Sequence, residues 1–119
     1  MAYIDGFLTP VPKRQLAKYR RGARLMGKIW RDHGALEYRE WIADDVSWGK
    51  RTSFPRAVKQ KADETVCFAY VLYRSRADRN RINKAAMKDK RLAAWMDPKK
   101  LPFDAKRMIW GGFKPLVTL

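Results

Sequence analysis

The chain has 119 residues, 46% of them hydrophobic and 13% aromatic, which excludes a disordered polymer and predicts one domain, residues 1–119, with one core. A chain of this size buries roughly two-thirds of its unfolded surface. It holds 27 Lys+Arg against 12 Asp+Glu, a net charge of +15 with a pI of about 10.4, and such a field attracts anions, nucleic acid included.

Residues 2–9 predict a strand, ended by Pro10-Val11-Pro12, where proline suits the first turn of a following helix. Residues 13–33 have helical periodicity: Leu16, Tyr19, Ala23, Met26 and Trp30 recur at steps of three or four and share one face, while Arg20, Arg24, Lys28 and Arg31 share another. Gly34 then supplies a left-handed cap. Residues 35–43 read as a second strand, and a polar stretch from Asp44 to Glu64 reads as a loop of unusual length. Thr65 to Tyr73 is the strongest strand signal in the chain. Ser75-Arg76-Ala77-Asp78 opens a second helix in the manner of a capping box, with Ile82, Ala85 and Ala86 on its buried side. Residues 106–118 predict a last strand, in which Gly111-Gly112 signals a bulge or a close backbone approach.

The order is β-α-β-β-α-β, an α+β fold of ferredoxin-like type: an antiparallel sheet with two helices on one face. In the third strand Val66, Phe68, Tyr70 and Leu72 point one way, and Cys67, Ala69, Val71 and Tyr73 the other; neither set is polar. A strand apolar on both faces calls for cover on both, and the helices cover only one. The remaining face predicts a homodimer, in which a second copy of the sheet supplies the missing layer. The long loop folding beneath the sheet, or RNA stacking there, are the alternatives.

Few residues carry a recognisable chemistry. Val66 to Tyr73 partly matches the aromatic strand motif of RNA-recognition modules, with Phe68, Ala69, Val71 and Tyr73 in place but the leading basic residue and glycine absent. Aromatic residues are common in buried strands, which is the simpler account. Residues 13–31 hold eight Lys/Arg and no acid, and residues 74–91 hold eight Lys/Arg and two acids, so the helical layer should be strongly positive: a phosphate-binding surface, or a solvated one. His33, the only histidine, could act as a general base, although a histidine in a last helical turn also complements the helix dipole. No Cys/His cluster suggests a metal, Ser53 and Ser75 lack the setting of an activated nucleophile, and Gly111-Gly112 lacks the pattern of a phosphate loop. No cofactor is called for. The single cysteine, Cys67, fits a reducing, cytoplasmic setting. The start Met1-Ala2-Tyr3-Ile4-Asp5 does not resemble a signal peptide, and no run nears ~18 apolar residues, so no membrane association is expected.

Several runs together carry a resemblance. They are Met1 to Phe7, His33 to Tyr38, Thr52-Ser53-Phe54-Pro55 through Lys59, Asp63 to Val66, and Met96-Asp97-Pro98 through Lys106-Arg107-Met108-Ile109 to Phe113. These resemble the bacterial YbaA-like family, domain of unknown function 1428, over essentially the whole chain. The resemblance implies a dimeric α/β barrel in which two sheets pack face to face. It assigns no catalytic residues. Members of the wider superfamily place ligands between sheet and helices, which is fold-level analogy.

Two functions compete at this stage. One is a small-molecule site between sheet and helices, with Tyr19, Tyr38 and Trp110 holding a ring and Glu40 or His33 accepting a proton. The other is a polyanion-binding or nucleic-acid-binding module that uses Arg20, Arg24, Lys28 and Arg31. Core packing and surface charge account for each of these residues singly.

Overall fold

A computed structural model describes all 119 residues. Four strands form one antiparallel sheet: β1 (Tyr3–Pro12), β2 (Glu37–Ile42), β3 (Glu64–Tyr73) and β4 (Ile109–Phe113), in the spatial order β2-β3-β1-β4. Helices α1 (Leu16–Asp32) and α3 (Arg76–Met87) connect them in the expected β-α-β-β-α-β order, joined by the short helices α2 (Phe54–Ala57) and α4 (Lys90–Trp95). No helix is long and apolar enough to cross a membrane.

The register divides the side chains between two faces. Cys67, Ala69 and Val71 of β3 lie opposite Thr9, Phe7 and Asp5 of β1 and opposite Ile42, Glu40 and Tyr38 of β2. This face lies under the helices, and Cys67, Ala69, Val71 and Tyr73 are buried there with Ile82 of α3. The opposite face carries Ile4 and Leu8 of β1, Trp41 of β2, Phe68, Tyr70 and Leu72 of β3, and Ile109 and Phe113 of β4.

Several boundaries differ from expectation, each for a local reason. β1 continues through Pro10 and Pro12, because β4 pairs with β1 only between Ile4 and Leu8 and proline is tolerated where a strand lacks one neighbour. β4 is limited to five residues: Ala105–Arg107 forms a 3-10 turn capped by Asp104, and beyond Phe113 the start of β1 leaves nothing to pair with. The long loop contains α2, whose N-cap Ser53 accepts from the Arg56 amide at 3.1 Å and whose first turn holds Pro55. The second helix stops at Met87, and α4 restarts after Asp89, whose carboxylate caps the new first turn. Gly34 has φ +119° directly after α1, as its capping role requires.

The deepest positions of α1 are Gly22, Gly27 and Ile29, whereas Tyr19, Ala23, Met26 and Trp30 are half-buried. The two glycines are close approaches. A Cβ on Gly22 would overlap the Trp95 ring, and one on Gly27 would sit 2.7 Å from the Tyr38 ring. Trp95 therefore brings α4 onto the middle of α1, and Tyr38 brings β2 beneath its C-terminal half.

Candidate functional site

The contact at Gly27 opens the site. With no side chain there, the Tyr38 ring slides beneath α1, and its hydroxyl donates to Glu40 Oε2 at 2.6 Å. Tyr38 and Glu40 are two apart on β2, so both face the helices. Tyr19, one turn into α1, donates to the other oxygen, Glu40 Oε1, at 2.5 Å. Phe103 packs edge-on against the Tyr19 ring at 5.7 Å. One carboxylate thus holds a phenol on each oxygen.

Burial, and next the charge of Glu40, push both phenols well above the usual tyrosine range. They remain protonated donors at any physiological pH. Each carboxylate oxygen keeps a further lone pair, so Glu40 can still accept a hydrogen from a molecule beside it. Cys67 lies on the same face; burial and the Glu40 charge push its thiol up to about 12, so it is not the nucleophile of this site.

Above this floor, α1 and the edge strand β2 enclose an open groove of about 640 Å³, within the range of small-molecule sites. Its floor shows Tyr38, Glu40 and Gly27, and its rim carries Arg20, Arg24, Lys28 and Arg31. Tyr38 and Glu40, proposed from sequence for a small molecule, therefore line the same concavity as the four cations proposed for a polyanion, and Tyr19 reaches it through Glu40. Arg31 is partly engaged, since its guanidinium donates to the Ala35 and Leu36 carbonyls and fixes the α1–β2 turn.

Two sequence candidates lie elsewhere. His33 caps the end of α1 and pairs with Asp89 Oδ2 at 2.9 Å, which ties α1 to the start of α4. Trp110 stacks on Phe7 at 6.3 Å on β4, three strand spacings from β2, or about 14 Å. Neither shares the groove with Glu40. A second polar cluster lies under α3: buried Asp5 accepts from the Tyr73 hydroxyl at 3.0 Å and faces Arg79 Nε at 3.3 Å, and Arg79 reaches the Tyr3 hydroxyl. Its members face one another, although Asp5 Oδ1 and Arg79 Nε make no hydrogen bond.

Sequence reasoning did not single out Gly27 or Glu37. Gly27 sits inside a helical pattern, where a glycine lowers helix propensity without a local gain; that was the available signal for a close approach.

Residues 2–105 match the family described as "Protein of unknown function (DUF1428)". The chain is 38% identical to YbaA of Escherichia coli K12 over 117 residues, 98% of each chain, and to YbaA of Shigella flexneri to the same extent. Among solved structures, Rv0793 from Mycobacterium tuberculosis superposes with a TM-score of 0.60 over 99% of this chain and 98% of that one, at 13% identity, a likeness of fold alone.

Proposed function

The chain belongs to the DUF1428 family, and on that footing we propose that it is a homodimeric ligand-binding protein, with a small molecule held in each α1/β2 groove and Glu40 as the proton acceptor beside it. The observation that carries this reading is the Glu40 carboxylate, held between the Tyr19 and Tyr38 hydroxyls at the floor of a groove of ligand size. A carboxylate oriented from behind by two fixed donors, with lone pairs left on its open side, is an arrangement suited to taking a proton from a bound hydroxyl or acidic C–H.

The dimer rests on the other face of the sheet. Trp41, Phe68, Ile109 and Phe113 are 54, 46, 45 and 59% exposed there. The long loop covers little of it: Phe54 packs edge-on against Phe68 at 6.0 Å and is itself half exposed. From strand spacing and length this face measures on the order of 600 Å², close to the ~800 Å² per partner of stable complexes. Its charged residues within the paired strands are Glu37 and Arg39, already joined at 2.8 Å, and Glu64, buried and held by Arg107. A nucleic acid would need unpaired cations beside the aromatics, and the paired strands of this face offer none, while the Arg20, Arg24 and Lys28 row lies on α1, across the sheet. A second copy of the same face suits it better.

The groove is tested by NMR titration of isotope-labelled protein with a fragment library. Saturable shifts at Gly27, Tyr38 and Glu40 are expected, and a bound fragment with an acidic C–H should exchange that hydrogen with solvent deuterium at a rate that E40Q lowers. A library that moves none of these resonances overturns the groove as the ligand site.

A further inference from the structure

We infer that the ligand of the α1/β2 groove is a small organic anion, a carboxylate or phosphate monoester, seated on Arg20, Arg24 and Lys28. The inference rests on the groove being the ligand site and adds the ligand's charge. Of the two acids that line the groove, Glu37 at the β2 edge turns its carboxylate to the other face of the sheet and Glu40 stands at the floor, and neither pairs with a rim cation. Glu37 is held by Arg39 at 2.8 Å and by the Tyr70 hydroxyl at 2.5 Å, and Glu40 by the two phenols.

Arg20, Arg24 and Lys28 meet no carboxylate of the chain. Six arginines elsewhere, Arg14, Arg39, Arg79, Arg81, Arg91 and Arg107, pair with an Asp or Glu; what sets Arg20, Arg24 and Lys28 apart from the other unpaired cations is that they line one concavity. Three cations at four-residue spacing stand about 6 Å apart along α1, on a concave wall whose own acids are occupied. That leaves positive potential focused into the groove. An arginine fork or a lysine there can give a bound anion charge-assisted hydrogen bonds.

Shape and charge together favour a small anion over a polyanion. The cations face a concavity of about 640 Å³ closed below by the Glu40 carboxylate. A ligand that puts an acid group on the rim can offer a hydroxyl or amino hydrogen to Glu40. A continuous phosphate backbone pressed into the groove would meet the Glu40 carboxylate at its floor.

The test is calorimetric titration of the full chain at low ionic strength with succinate, citrate, inorganic phosphate and uncharged succinamide, alongside an oligothymidylate. Saturable binding of at least one acid, weaker or absent binding of succinamide, and a drop of about tenfold or more in R24A/K28A support the inference. The charge-matched control K84A/K88A, in the last turn and at the C-cap of α3, should leave the affinity unchanged, which separates the groove from the general field of a +15 protein. E40Q should keep or tighten acid binding, since it removes a negative charge from the floor. Succinamide or other neutral fragments that bind the groove as tightly as the acids overturn the anion assignment while leaving the groove a ligand site. Oligothymidylate that saturates where no small acid binds overturns it in favour of a polyanion. No binding by any probe overturns both readings.

Discussion

Gly27 lies directly over the Tyr38 ring, so close that a Cβ at position 27 would stand 2.7 Å from Cδ1. The groove floor depends on that approach, because it sets the ring whose hydroxyl orients Glu40. G27A should push Tyr38 off its position and lengthen the Tyr38–Glu40 bond. Overpacking of this kind costs about 1–3 kcal/mol, offset in part by the better helix propensity of alanine. Thermal unfolding should show a small net loss, with the largest NMR shifts at Tyr38 and Glu40. A variant as stable as the wild type with those resonances unmoved would show that the contact does not set the floor.

Gly22 makes the corresponding contact with Trp95, whose ring fills the space that a Cβ at position 22 would take. G22A cannot be accommodated unless the indole leaves its place, and with it α4 loses its seat on α1. Trp95 fluorescence should shift to the red and α4 should lose amide-exchange protection, while β1 and β3 keep theirs. Unchanged Trp95 emission would contradict this packing.

The parts of the fold that follow a single period are the parts the sequence makes legible. β3 shows two apolar sets at period two, and its cross-strand partners follow from antiparallel pairing. Ser75 at the start of α3 and Gly34 after α1 are local signals and act locally. The short helix α2 is hidden in a polar stretch, although Ser53 followed by Pro55 is a capping signature. Asp89 likewise marks a restart that a continuous basic helix obscures. Of the site candidates, Tyr19, Tyr38 and Glu40 converge because α1 crosses β2 at Gly27. His33 and Trp110 diverge because a helix end and the far edge strand are remote from that crossing. Those distances depend on strand order and helix crossing, which no single segment encodes.

Arg107 donates to both oxygens of Glu64, at 2.7 and 2.6 Å, and to the Lys59 carbonyl, pinning the long loop to the turn before β4. Its hydrogen bonds hold the Glu64 carboxyl below the usual range against the opposing effect of burial. A depressed folded value means the pair's contribution is complete above the unfolded glutamate value, ~4.3, and is lost as pH falls through the lower folded one. R107M leaves Glu64 with only the Lys61 amide, at 2.7 Å, and should cost about 3 kcal/mol at neutral pH. In urea melts the gap between wild type and variant should narrow below about pH 4. A gap that is constant from pH 7 to pH 3 would exclude the ion pair as its source.

Cys67 is buried beneath the helices, and its thiol is pushed up to about 12 by burial and by the nearby Glu40 charge. At pH 8 roughly one molecule in ten thousand is then thiolate. The folded protein should resist an aromatic disulfide reagent for hours, and one thiol per chain should react within minutes in strong urea. Because the Glu40 charge contributes, E40Q should make the thiol easier to ionise without exposing it. Fast labelling of the native wild type would place Cys67 outside the core.

The open face of the sheet gives the most direct test of the dimer. Phe68 lies at the centre of that face on β3 and Phe113 at the end of β4, and neither is buried within one subunit. A charge at either position therefore costs the isolated fold little. At an interface between two apolar sheets it would be desolvated without a partner, which costs several kcal/mol. Sedimentation equilibrium of the wild type should give twice the 14.0 kDa chain mass, and F68E/F113E should give the single mass with an unchanged circular dichroism spectrum. A wild-type chain that sediments as one subunit at micromolar concentration would leave Phe68 and Trp41 in water, and the second-copy reading of this face would fail while the groove on the opposite face stands untouched.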